Sequence, residues 1–155
     1  MKKIIIALIV CFFALALTAC AGNSEQSGSE GDKMDITAVY LYINGNKAEV
    51  TLAENKATAA LVEILQNGDI TYTADDYGGF EKVGALGHSL PTENSQITTE
   101  AGDVILYSGN QIVLFYGSNS WSYTRLGKIN GYSVSELRAF LCAGDGSVQV
   151  RISLK

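Results

Sequence analysis

A chain of 155 residues with 11 basic and 16 acidic side chains carries a formal charge of −5, which argues against attraction to nucleic acid or to an anionic lipid surface. Its length suits one domain with a real hydrophobic core. Of the three cysteines, Cys11 and Cys20 fall in the N-terminal segment and only Cys142 in the body of the chain, so the body of the chain has no pair of its own for a disulfide framework.

Lys2 and Lys3 precede an apolar run from Ile4 to Leu17, which closes on Leu17-Thr18-Ala19-Cys20. The run falls short of the about 20 apolar residues of a membrane span, and small residues at its end have the layout of an export signal. The cysteine makes it resemble the lipobox of bacterial lipoproteins. That resemblance implies removal of residues 1–19 and a diacylglyceryl group on the Cys20 thiol. The protein is then held by acyl chains such as palmitate to the cell membrane or outer membrane, with its domain outside the cytoplasm. Each buried methylene contributes about 0.8 kcal/mol and one chain binds only marginally, so two or three chains on one cysteine hold firmly. Ala21 to Lys33, AGNSEQSGSEGDK, has no large apolar residue and cannot bury enough surface to order itself. It is expected to be a tether, reaching on the order of 45 Å extended and about 20 Å as a coil. The expected organisation is a signal peptide at 1–19, a lipidated cysteine and tether at 20–33, and one domain at 34–155.

Within the domain, Val39, Leu41 and Ile43 alternate with Tyr40 and Tyr42, a strand with one aliphatic and one aromatic face. Asn44-Gly45 supplies the positive φ angles of a tight turn, and Ala48, Val50 and Leu52 alternate on the return strand of a hairpin. The period then changes: Ala57, Ala60, Leu61, Ile64 and Leu65 share one helical face, with Asn55 as N-cap and Gly68 just past the end. A strand at Ile70 to Thr73 leads into Asp75-Asp76, expected as a solvated turn, and an irregular stretch through Leu90-Pro91. Strands follow at Val104 to Tyr107 and Ile112 to Tyr116 around a turn at Ser108-Gly109-Asn110, and a last one at Ser147 to Leu154. Ser133-Val134-Ser135-Glu136 has the spacing of a capping box, so a second short helix is expected to run toward Cys142, read as a buried apolar thiol. Seven or eight short strands and two helices fit a closed or nearly closed β-barrel, which hides the sheet edges.

Gly102-Asp103-Val104-Ile105-Leu106-Tyr107, Gln111 to Gly117, and Asn119-Ser120-Trp121-Ser122-Tyr123-Thr124-Arg125-Leu126-Gly127-Lys128-Ile129 together resemble the bacterial cyclophilin-like family. The resemblance spans the chain from about Ile36 and implies a mainly β fold: a closed barrel of about eight strands with a short helix capping each open end. Its members are commonly secreted or lipid-anchored, and the fold does not by itself assign an activity. True cyclophilins are prolyl isomerases whose signature reads roughly Phe-His-Arg, then Gly-Phe-Met-x-Gln-Gly-Gly-Asp. No such run occurs here, and Asp76-Tyr77-Gly78-Gly79-Phe80-Glu81-Lys82 lacks both the arginine and the glutamine, so no catalytic residue is assigned.

The expected role is a lipid-anchored binding module, a monomer, with a shallow groove for a peptide segment or small molecule. A degenerate prolyl isomerase and a non-catalytic structural envelope protein are the alternatives. Tyr72 and Phe80 are the candidate apolar walls, Trp121 and Tyr123 the stacking surfaces, and Arg125 the contact to an anion or carbonyl. The competing reading has Trp121 plugging the barrel while Arg125 pairs with Glu81 or Asp103. His88, the single histidine, is expected on an exposed loop, because one histidine near a serine is not a triad. No metal or cofactor is expected: paired histidines, C-x-x-C, a calcium-loop spacing and G-x-G-x-x-G are all missing from the sequence.

Overall fold

The computed structural model describes residues 36–155; the expected signal peptide at 1–19 and the expected lipidated cysteine and tether at 20–33 lie outside the described residues. Asn44 and Gly45, with φ of 49° and 79°, turn the chain between β1 (Ala38–Ile43) and β2 (Asn46–Leu52). Asn55 caps α1 (Lys56–Leu65): its side chain accepts from the Thr58 amide, while Thr58 Oγ1 accepts from the Asn55 amide. The Asn55 side-chain amide also donates to the Arg125 carbonyl at 2.7 Å, which ties the start of the helix to the far half of the chain. The remaining elements are β3 (Ile70–Tyr77), β4 (Glu81–Ala85), β5 (Ser95–Thr98), β6 (Asp103–Tyr107), β7 (Gln111–Phe115), β8 (Ser120–Ile129), α2 (Val134–Phe140) and β9 (Val148–Ser153).

The strands run antiparallel in the order β2-β1-β9-β3-β4-β7-β6-β8, and β8 returns to β2, so eight strands close a barrel. At the closure Gly127 lies against the Thr51 carbonyl with no room for a Cβ, the close backbone approach for which a strand glycine is suited. A ninth strand, β5, pairs with the first residues of β8, from Ser120 to Tyr123. One set of alternating side chains, including Val39, Leu41, Tyr72, Val104, Leu106, Ile112, Leu114, Val150 and Ile152, forms the main core, into which α1 sends Leu61 and Leu65 and α2 sends Leu137 and Phe140. The fold is therefore the mainly β barrel with two short helices that the pattern implied.

Three local expectations are corrected. Asp75 and Asp76 are not a solvated turn; they extend β3 and pair with Val83 and Lys82 of β4, while Gly78 and Gly79, at φ of 62° and 76°, make the turn. Aspartate is depleted in strands because its short side chain competes for nearby backbone groups and favours turns, but the Asp76 carboxylate is satisfied by the Lys82 ammonium, the Tyr116 hydroxyl and the amides of Gly144 and Gly146. The irregular stretch contains two strands, β4 and β5, which are held by partners distant in sequence. Cys142 lies beyond the end of α2, half-buried at φ 51°, with its sulfur accepting from the Asn44 side chain.

Candidate functional site

Because side chains alternate across a strand, the residues between the core positions of β4, β7, β6 and β8 share the opposite, outer face of the barrel. Register aligns them: Glu81 opposes Phe115, Val83 opposes Val113, Val113 opposes Ile105, and Gln111 opposes Tyr107. Ile105, Val113, Phe115 and Tyr123 are buried in a second, smaller apolar cluster, with Phe80, Val83 and Ile97 packed against it. Phe115 and Tyr123 meet edge to face with centroids 5.9 Å apart, as do Tyr107 and Tyr123 at 6.1 Å, the geometry in which the positive edge of one ring meets the negative face of another.

A cavity of about 400 Å³ opens on this face, lined by Tyr77, Glu81, Val83, Tyr107, Gln111, Val113, Asn119, Trp121 and Tyr123. Its size and its largely apolar, aromatic wall with a few polar groups suit a small ligand or a peptide side chain. Trp121 is 58% exposed and Tyr77 63%, so both present ring surface to solvent at its margin. Tyr123 is buried, and its hydroxyl accepts from the Asn119 side chain at 3.0 Å. Glu81 is 93% buried, and its Oε2 has no hydrogen-bond partner within the protein. Loss of hydration raises its carboxyl pKa to about 7. Burial, together with the nearby Glu81 charge, pushes the Tyr123 hydroxyl up as well.

Of the candidate residues drawn from sequence, Trp121 and Tyr123 line this cavity together. Phe80 stacks on Phe115 at 6.3 Å and meets the lining Tyr77 edge-on, but does not itself line the cavity. Tyr72 sits in the main core, on the other side of the barrel wall, and burial raises its hydroxyl pKa. Arg125 shares its strand face with Trp121 and Tyr123, but its guanidinium is engaged by the buried Asp103 carboxylate. A bulge opposite Val104 and Ile105 explains the arrangement: the extra residue Leu126 shifts the parity of β8, so that Arg125 and Lys128 both reach Asp103, Lys128 at 3.3 Å. Trp121 therefore does not plug the barrel, and Arg125 pairs with Asp103 in preference to Glu81. His88 is exposed. Glu81 was named from sequence only as a partner for Arg125, and Tyr77 and Tyr107 were not singled out as lining residues. The signal lies in the alternation of Ile105 with Tyr107 and of Glu81 with Val83, legible only once β4 is known to be a strand. Among the described residues no three His, Cys, Asp or Glu side chains gather to hold a metal, and no helix is long and apolar enough to cross a membrane.

The sequence model of the cyclophilin-like family matches residues 41–153. Two solved structures are similar in fold. The hypothetical protein AF2241 from Archaeoglobus fulgidus, solved in solution, is 18% identical with a TM-score of 0.54, over 77% of this chain and 95% of that one. McbB, solved in complex with tryptophan, is 14% identical with a TM-score of 0.51, over 74% of this chain and 44% of McbB. No curated protein matches the chain.

Proposed function

The chain belongs to the cyclophilin-like family, and from that premise we propose that it is a binding module, anchored by lipid on Cys20 outside the cytoplasm, which takes a peptide segment or small molecule into the aromatic cavity of its outer face. The observation that carries the binding role is the exposed indole of Trp121 beside a cavity of about 400 Å³ with Tyr123 in its wall. Large rigid rings give contact area with little loss of conformational freedom, and an exposed one beside a concavity is poorly explained by packing. A binding role is favoured over isomerisation because the guanidinium of Arg125, which shares the strand face of Trp121, is held by Asp103 and Asp103 is itself buried.

Trp121 is the single tryptophan of the chain, so its fluorescence reports the cavity directly. Titrating short peptides and small fragments is expected to give a saturable shift in emission for some of them, and Val83→Phe, which fills part of the cavity, is expected to abolish it. Flat emission across the whole set removes the binding reading.

The anchor is supported by the layout of residues 1–20. Losing two or three acyl chains at about 0.8 kcal/mol per methylene leaves nothing to hold a domain of acidic charge to lipid. Cys20→Ala is therefore expected to move the protein from the membrane fraction to the soluble one, or to leave an unprocessed precursor. Cell fractionation with mass measurement checks this, and a processed protein still in the membrane fraction would reject it.

A further inference from the structure

Glu81 is the feature of the cavity that packing does not account for. A buried carboxylate without a partner is costly, since desolvation penalises the charge and nothing returns the lost hydrogen bonds. Its neighbours on β4 point the other way: Lys82, next in sequence, faces the barrel interior and is committed to Asp76. Among the described residues no lysine or arginine pairs with Glu81, and the groups that share its cavity are the tyrosines 77, 107 and 123, Trp121, and the amide side chains of Gln111 and Asn119. Elsewhere in the protein aromatic rings do carry cations. Lys47 Nζ lies 3.6 Å from the ring centre of Tyr40, and the guanidinium carbons of Arg151 and Arg138 lie 3.8 Å and 4.7 Å from those of Tyr42 and Tyr116. In the cavity, rings and a carboxylate come together without a basic side chain among its lining residues.

We infer that the cavity recognises an organic ammonium group, with Glu81 as its counter-ion and the rings of Trp121 and the surrounding tyrosines as its cage. This rests on the binding role proposed above and names the chemistry of the ligand. The two parts act together: aromatic faces attract a cation through their negative quadrupole and tolerate its loss of water, while a carboxylate already stripped of water gains more from an arriving cation than an exposed one would. A neutral ligand of the same shape would fill the cavity but leave the Glu81 carboxylate without a charge partner. The ammonium is equally that of a free alkylamine or of a lysine side chain in a peptide.

The test uses the full chain in non-ionic detergent, at constant ionic strength and slightly alkaline pH, with Trp121 emission as the readout. The probes are n-butylammonium, tetramethylammonium, n-butanol as the neutral match, and Nα-acetyl-lysine amide with Nα-acetyl-norleucine amide as its neutral match. The cations are expected to bind about tenfold or more tightly than their neutral matches, and Glu81→Gln to remove that preference while leaving the response to n-butanol in place. Because Trp121 is exposed, Trp121→Ala keeps the fold, and calorimetry on it is expected to show n-butylammonium binding weakened by about tenfold. A lysine amide that outcompetes n-butylammonium identifies a peptide side chain as the source; equal or weaker binding identifies a free amine. Saturable binding with no preference for cations, or a preference that survives Glu81→Gln, overturns the ammonium inference and leaves the cavity as a binding site. Silence from every probe overturns both.

Discussion

Lys82→Met is expected to destabilise the domain by about 3–5 kcal/mol, the cost of removing one partner from a buried ion pair and stranding the other. The side chain of Lys82 is fully buried, and its ammonium lies 2.9 Å from Asp76 Oδ2 while also donating to the Gly146 carbonyl. The two residues oppose each other across β3 and β4. Asp76 in turn accepts from the Tyr116 hydroxyl and from the amides of Gly144 and Gly146, each at 2.9 Å. The pair thus pins the segment between α2 and β9 to the barrel wall, and its loss frees that segment as well as leaving a carboxylate poorly solvated. Urea unfolding near neutral pH measures the effect. In an Asp76→Asn background the same substitution is expected to cost clearly less, because no charge is then stranded. A loss below about 1 kcal/mol for Lys82→Met alone would put the pair among those that contribute little.

This network also sets the acid limb of stability. Burial alone would raise the carboxyl pKa of Asp76, but the Lys82 ammonium, the two glycine amides and the Tyr116 hydroxyl outweigh it and hold the group at about 2. A carboxyl depressed in the folded state adds stability above its ordinary pKa, and that stability is lost as pH falls toward 2.

Glu81→Gln has the opposite signature and is expected to stabilise the protein at alkaline pH. The folded-state pKa of Glu81 is raised to about 7 by burial, so the folded protein holds this proton more tightly than the unfolded chain. Its contribution is fully present below the ordinary glutamate pKa and is lost as pH rises through about 7. The groups facing it are the phenols of Tyr77, Tyr107 and Tyr123 and two amides, and burial keeps the Tyr123 phenol protonated well above this range, so the decline belongs to Glu81. A displacement of this size corresponds to up to roughly 3 kcal/mol. Glutamine has the same shape and no charge. The variant should therefore match the wild type near pH 4 and exceed it by about 1–3 kcal/mol at pH 8, as read by urea midpoints across the range. Parallel curves for the two proteins would show that Glu81 titrates as an ordinary surface acid.

The elements governed by near neighbours were legible before any coordinates. The Asn44-Gly45 hairpin, the Asn55 cap of α1 and the Ser133-Glu136 capping box of α2 all form where the residue types place them, because each depends on backbone groups no more than about four residues away. The barrel was legible as a class from alternation and strand count. What misled was Asp75-Asp76, whose strand conformation depends on Lys82, Tyr116 and the loop near Gly146, partners that local propensity does not see.

The candidate site divides in the same way. Trp121 and Tyr123 were identifiable as exceptional side chains, and alternation along β8 places Arg125 on the same face. That Arg125 is engaged by Asp103 and that Tyr72 turns into the core were decided by the bulge at Leu126 and by the pairing of β3 with β9. By itself the amino-acid order determined a mainly β barrel with two capped helices, since turn, cap and period are properties of adjacent residues. Which acid would be left without a partner was a matter for the tertiary structure alone. Glu81 is stranded because alternation along β4 turns Lys82 to the other face and register sets Phe115 and Tyr77 opposite it, and the register with β7 is a relation between strands far apart in the chain.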